Sequence, residues 1–165
     1  MRADRLTPGD QIVALSAIVL FLVSFVHWLG ATVSLASGQA PIGLSLQSSA
    51  ASAWSFTLPV LAVLLGLALL AYVLLKAGGV QLIGGPEGTL TVAQLVLCVA
   101  LTAFVFVLAK LLAGPHLSGF PTTVSGHAVQ VHKSRKVGIY LGLLATVGLV
   151  VGAVLNLQAA QLERS

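Results

Sequence analysis

The chain has 165 residues, of which 58% are hydrophobic and 7% are charged, and its mean hydropathy is +1.05. Soluble domains carry about a quarter charged residues, so this composition excludes a water-soluble fold of the same size. The net charge of +4 comes from basic residues dispersed along the chain. Nucleic-acid-binding proteins cluster such residues on one face, so no nucleic-acid partner is expected.

The longest uncharged stretch runs from Gln11 to Leu75 and contains 65 residues. A first membrane span is predicted over residues 11–29, with Thr7 as N-cap, Pro8 at the first helical position, Asp10 in the first turn and Gly30 after the end. Its length exceeds the roughly 7–15 residues of a secretory signal's apolar region, which favours a retained span over a cleaved signal.

Three further apolar segments predict spans over residues 54–75, 91–113 and 137–157, and the stretches 30–53 and 114–136 are predicted to be loops. Thr91 and Gln94 form a capping-box pattern at the start of the third span. Continuous apolar runs of this length satisfy their backbone groups in lipid only as helices. The predicted fold class is therefore all-α, a transmembrane bundle of four helices in up-down order, as a single membrane domain over residues 1–165.

Small residues recur along one side of the fourth span. At ~100° per residue they fall within ~120° of arc, which predicts a groove where another helix approaches closely. Two interpretations stay open: packing against the other spans of the same chain, which is favoured, and a seam between two copies. The stripe consists of Gly138, Gly142, Ala145, Gly148 and Gly152.

Aromatic and basic residues lie near the predicted span ends, where they are typical of anchors at the lipid headgroups. Lys110, one turn from the end of the third span, is expected to extend its ammonium to that level. The run from His132 to Lys136 is interpreted as a charged collar, the alternative being a docking patch for acidic lipid or a partner protein. The predicted anchors are Trp28, Trp54, Lys110, Lys133, Arg135 and Lys136.

The residues that could carry chemistry are few. Imidazoles bind zinc and copper, but His27, His116, His127 and His132 are irregularly spaced and have no acid beside them, so neither a metal nor a cofactor is expected. No Asp or Glu lies inside a predicted span, where a cation-coupled transporter needs one. The motifs of hydrolases and nucleotide-binding enzymes are missing as well, so the sequence predicts no enzyme.

The orientation rests on the first span. Lysines and arginines divide four against four between the two sides, so the positive-inside rule does not decide. Arg2 and Arg5 precede the first span, however, and an uncharged segment follows it. Both termini are therefore predicted to be cytoplasmic, in a multi-pass protein of the cell membrane.

Three segments carry a resemblance to a family. They are Phe25-Val26-His27-Trp28 at the end of the first span, Trp54-Ser55-Phe56 at the entry to the second, and the glycine-rich segment from Gly138 to Ala153. With this layout the chain resembles a loose group of small four-span integral membrane proteins of actinobacteria. The resemblance implies a fold and a membrane location, and it assigns no catalytic or binding residue.

Together these features predict a small polytopic membrane protein that acts as a non-catalytic accessory or scaffold subunit of a membrane complex. Its expected partners are the lipid bilayer and either other membrane proteins or further copies of itself. The alternative is a component of an oligomeric transporter or channel. Such a path would need several copies, because a lone four-helix bundle is filled by its own side chains.

Overall fold

Four helices form the body of the protein, for which a computed structural model describes residues 6–35, 47–80, 86–113, 123–124 and 127–162. Each helix packs against the next in sequence, and the fourth closes the ring against the first. The helices are α1 (Pro8–Val23), α2 (Thr57–Ala77), α3 (Pro86–Ala113) and α4 (Val137–Leu162). The predicted all-α bundle of four helices in up-down order is confirmed.

Three helices have the length and composition needed to cross a membrane: α2, α4 and the part of α3 from Val92 to Ala113. The remaining helix, α1, is apolar but has only 16 residues, or ~24 Å of helix. The hydrocarbon core of a bilayer is ~30 Å thick, so α1 is shorter than that thickness.

The start of α1 is as predicted and its end is not. Thr7 and Asp10 form a reciprocal capping box and Pro8 occupies the first turn. The helix stops at Val23 instead of continuing to residue 29, because Ser24 caps it and donates its hydroxyl to the Phe21 carbonyl at 2.6 Å. The segment predicted as the last helical turns is extended.

Helix α2 begins at Thr57, three residues after the predicted start, and ends at Ala77, two residues after the predicted end. The end of α3 and the start of α4 are as predicted, and their other two boundaries shift outward. Helix α3 begins at Pro86, five residues before the predicted start at Thr91, since proline fits the first helical position. Helix α4 continues to Leu162 instead of residue 157, because Gln158 and the residues after it are good helix formers.

Both segments predicted as loops contain β-strands, which assemble into one antiparallel sheet of order β2-β1-β4-β3. Strand β1 lies between β2 and β4, and its register with β4 runs from Leu29 opposite Arg135 to Leu35 opposite Val129. The strands are β1 (His27–Leu35), β2 (Gln47–Ser52), β3 (Thr123–Val124) and β4 (His127–Arg135). A short 3-10 helix, Ala53–Ser55, links β2 to α2.

The sheet lies at the end of the bundle where α1 and α3 finish and where α2 and α4 begin, and this is called the sheet end below. The opposite end, where α1 and α3 begin, is called the terminal end. Pairing between the strands provides hydrogen-bond partners for their backbone groups, which would otherwise need water as a partner.

The interior consists of two apolar clusters. One, around Val13, Leu20 and Leu149, fills the bundle toward the terminal end. The other, around Trp28, Val107 and Ile139, fills it beneath the sheet. Large apolar side chains also point outward from the helices, among them Leu15 and Leu144. An outer surface of this kind is suited to a lipid solvent.

Candidate functional site

Trp28 connects the sheet to the helical bundle through packing and hydrogen bonds. It lies at an irregularity of β1, since His27 pairs with Ser52 and Leu29 with the adjacent Ala51. An extra residue in a strand changes the direction in which a side chain points, and here the indole is fully buried, with 0% exposure. The prediction that Trp28 is an interfacial anchor is therefore wrong, because the protein itself encloses the ring.

Two hydrogen bonds hold this residue. The indole Nε1 donates at 2.9 Å to the Val23 carbonyl, the last of α1, which also accepts from the backbone N–H of Val26 at 3.0 Å. The Trp28 carbonyl accepts from the backbone N–H of Lys136 at 2.9 Å, just before α4 begins. The residue thus ties the end of α1, strand β1 and the start of α4 into one unit.

The sheet-end half of the small-residue stripe forms the pocket for this indole. A Cβ added at Gly138 would lie 2.7 Å from Trp28 Cδ1 and 2.7 Å from the His27 carbonyl oxygen. A Cβ at Gly142 would lie 2.7 Å from both Cη2 and Cζ2 of the same ring. Only residues without a side chain leave room for the indole at these two positions.

The terminal-end half of the stripe lies against α1. A Cβ at Gly152 would lie 2.8 Å from the Gly9 carbonyl oxygen and 2.8 Å from Val13 Cγ2, and one at Gly148 would collide with the Ser16 hydroxyl. Ala145, between the two halves, is buried in the core. All of these contacts lie within the chain, as the intramolecular interpretation of the stripe requires.

A polar cluster closes the bundle at the terminal end around Asp10, which is 0% exposed. Lys76 of α2 donates to Asp10 Oδ2 at 2.5 Å, and Asn156 of α4 donates from Nδ2 to Oδ1 at 2.9 Å. The Thr7 hydroxyl in turn donates to Asn156 Oδ1. These four side chains are called the Asp10 cluster, and they join three helices.

The Asp10 cluster is internally satisfied, which makes it a structural element of the bundle. A buried carboxylate is tolerated only when it is paired and hydrogen-bonded, and Asp10 is both. From the sequence, Asp10 is predicted only as part of a helix cap, and neither Lys76 nor Asn156 is predicted to contact it. Their proximity could have been inferred, because up-down order brings the start of α1 and the ends of α2 and α4 to the same end of the bundle.

At the sheet end, Lys110 lies in the last turn of α3 with its ammonium 3.9 Å from the centroid of the Phe56 ring. The residue is 8% exposed, and its predicted role as an anchor that extends its ammonium to the headgroups stays a prediction. Within the described part of the chain no hydrogen bond or ion pair reaches this ammonium.

Two aromatic residues beside α1 reach the surface of the sheet end. Trp54 donates from Nε1 to the Ser24 hydroxyl at 3.1 Å, and its ring centroid lies 5.9 Å from that of Phe25. Both rings are exposed. Exposure at the end of the apolar helices is what an interfacial anchor needs, and the assignment of this role to Trp54 stays a prediction.

The remaining predicted anchors belong to the junction of β4 and α4. Arg135 and Lys136 are exposed, and Lys133 pairs through its backbone with Ala31. Whether these residues form a collar or a docking patch stays a prediction.

The backbone separates the histidines of the sheet. His27 is exposed at the start of β1, whereas His132 pairs with Thr32, five residues or ~17 Å farther along that strand. His127 pairs with Val124, and His116 lies outside the described residues. Among the residues described, no group of three or more metal-ligating side chains is placed to hold an ion.

Comparisons of the chain with protein-family models, with curated proteins and with solved structures give no match. The resemblance to small four-span membrane proteins of actinobacteria therefore stays a prediction.

Proposed function

We propose that the protein is a non-catalytic scaffold subunit of a membrane complex, and that it presents the sheet end to its partners. All four helices cross the cell membrane, both termini are cytoplasmic, and the sheet stands on the outer side. The short helix α1 is accommodated by local thinning of the bilayer, at a cost of a fraction of a kcal/mol per Å of mismatch.

The observation that carries the proposal is the rigid attachment of the sheet through Trp28. A connection that only joined two helices would not need a buried indole, a matching glycine pocket in α4 and a backbone bond from Lys136 to the Trp28 carbonyl. These features fix the orientation of β1 relative to the bundle. A platform of fixed orientation is suited to recognition, because a pre-organised surface loses little entropy on binding.

The available chemistry also favours a structural role. Asp10 is the one acid whose side chain is described, and it is fully engaged with Lys76, Asn156 and its own capping box. An acid held in this way has no free oxygen for proton transfer or for binding a cation. The described core beneath the sheet is filled by apolar side chains.

Purification of the full chain in a mild detergent, with mass measurement of the assembly, tests the proposal. A second protein is expected at fixed stoichiometry. The double variant Arg135→Glu, Lys136→Glu reverses two exposed charges at the sheet end and should release that protein. The control variant Gln158→Glu, Gln161→Glu adds two charges on exposed residues at the terminal end and should retain it.

The alternatives give different results in the same experiments. A chain that never co-purifies with another protein at a fixed ratio would contradict the scaffold proposal. Substrate flux into liposomes that contain this protein alone would instead support a transporter or channel component.

A further inference from the structure

The charges of the chain are distributed unequally between the two ends of the bundle. In the described part of the chain, the terminal end has the acids Asp10 and Glu87 and the base Lys76. Among the described residues, the sheet end has four bases and no acid. Its bases are Lys110, Lys133, Arg135 and Lys136.

Lys110 differs from the other bases at this end. Arg135 and Lys136 are exposed, whereas Lys110 is 92% buried and covered by the Phe56 ring. Every buried side-chain nitrogen and oxygen of the described residues has a partner. Because Lys110 has no hydrogen-bond partner among those residues, its Nζ atom must retain a small accessible surface. The ammonium is thus positioned at a surface, held by a ring, and lacks a counter-anion there.

We propose that Lys110, held over Phe56, binds the phosphate of an anionic phospholipid at the sheet end. A lysine ammonium has three N–H donors and the ring face does not engage all of them, so donors remain for an anion to accept. The nearest acid along α3, Glu87, is 23 residues away, or ~35 Å of helix, and cannot serve as the counter-ion.

The depth of the site favours a lipid over a soluble anion. Lys110 lies inside the apolar stretch from Val92 to Ala113, close to its end, where hydrocarbon gives way to headgroups. Leu112, two residues farther on, is 73% exposed, and the exposed ring of Trp54 lies on the same end of the bundle. A lipid can place its phosphate on the ammonium and its acyl chains on this apolar surface, whereas free phosphate has no apolar part that could contact it.

Native mass spectrometry of the full chain in mild detergent, titrated with phosphatidylglycerol, tests this assignment. Lys110→Met should weaken the tightest lipid site about tenfold, as expected for the loss of one charge-assisted hydrogen bond. Lys110→Arg should retain binding within about threefold, because the charge remains. Lys136→Met, the matched control, removes one exposed charge from the same end and should weaken binding less than about threefold.

Two further ligands separate the possible sources of the anion. Diacylglycerol, which has the acyl chains without the phosphate, should not occupy the site, and millimolar inorganic phosphate should not displace the lipid. Displacement by inorganic phosphate would overturn the lipid assignment. Equal losses in Lys110→Met and Lys136→Met would show only diffuse attraction and would overturn the site itself.

Folding of the variants is followed by thermal unfolding in the same detergent. If Lys110→Met does not fold, Phe56→Leu takes its place, since it removes the ring that positions the ammonium while leaving the charge. Binding should then weaken about threefold, which corresponds to the loss of one cation–π contact. Unchanged binding in Phe56→Leu would contradict the proposed geometry.

Discussion

The substitution Gly142→Ala tests whether the indole of Trp28 is held rigidly between the sheet and α4. The added methyl group would lie 2.7 Å from two ring carbons, Cη2 and Cζ2, whereas carbon atoms in contact are normally ~3.5–4.0 Å apart. The ring cannot withdraw without losing its hydrogen bond to the Val23 carbonyl or pulling the Trp28 backbone away from Lys136. Either helix α4 or strand β1 must move.

The size of the effect follows from two opposing terms. Overpacking of a filled interior costs ~1–3 kcal/mol. Replacement of glycine by alanine inside a helix returns ~1 kcal/mol of helix propensity. We expect a net loss of ~0–2 kcal/mol in the free energy of unfolding, which for a chain of this length lowers the melting temperature by ~2–4 °C per kcal/mol.

Gly66→Ala in α2 is the matched control. Its added Cβ would lie 3.1 Å from Leu20 Cδ2, the tip of a flexible side chain that can rotate away. The gain in helix propensity should then offset the small contact cost, so stability should change by less than ~0.5 kcal/mol. Both glycines are buried helical positions, so the comparison isolates the neighbour of the added methyl group.

The assay is thermal unfolding followed by circular dichroism in mild detergent, with the oligomeric mass recorded in parallel. A Trp54→Phe background leaves Trp28 as the remaining indole, so the near-ultraviolet signal reports on the pocket. Equal stabilities of Gly142→Ala and Gly66→Ala, with an unchanged near-ultraviolet spectrum, would refute the pocket argument. A halved mass in Gly142→Ala would instead identify the stripe as a seam between two copies.

Three further predictions concern the terminal end, the orientation and the histidines. Asp10→Asn should lower the free energy of unfolding by ~1–3 kcal/mol; the loss is limited because Lys76 is 35% exposed and regains some solvation. When Asp10→Asn is combined with Lys76→Met, the total loss should be smaller than the sum of the two single losses. Additive losses in thermal unfolding would contradict the pairing of these residues. A cysteine at Ser45, outside the described residues, on a Cys98→Ala background should react with an impermeant thiol reagent in intact cells, and labelling only after lysis would reverse the orientation. Elemental analysis should find no stoichiometric zinc or copper, whereas one equivalent that disappears in His132→Ala would disprove this.

The helices could be predicted from the sequence because their signals are local. Apolar length locates a span, and the Thr7–Asp10 capping box marks where α1 begins. The end of α1 could not be found in this way, since the apolar run continues through Phe25 and Trp28 without a break in composition. Hydrophobicity alone does not separate a last helical turn from the first residues of a buried strand.

The central strand pairing of the sheet could not be predicted because it is non-local. Strand β1 pairs with β4 about a hundred residues later, whereas β1 with β2 and β3 with β4 are pairs of neighbouring segments. The Asp10 cluster, by contrast, could have been inferred, because the topology brings Asp10 and Lys76 to one end of the bundle. The burial of Lys110 beneath Phe56 depends on how α2 and α3 pack, which no sequence pattern specifies.

The placement of β1 constrains the order of assembly. Its pairing strand β4 and the glycine pocket for Trp28 both come from the last part of the chain, after α3. Helices of a membrane bundle associate after insertion, through close packing rather than hydrophobic burial. Until α4 docks, the indole of Trp28 therefore lacks the pocket formed by Gly138 and Gly142. Formation of the sheet end is thus a consequence of completing the bundle, so a partner or lipid that binds this end selects the fully assembled protein.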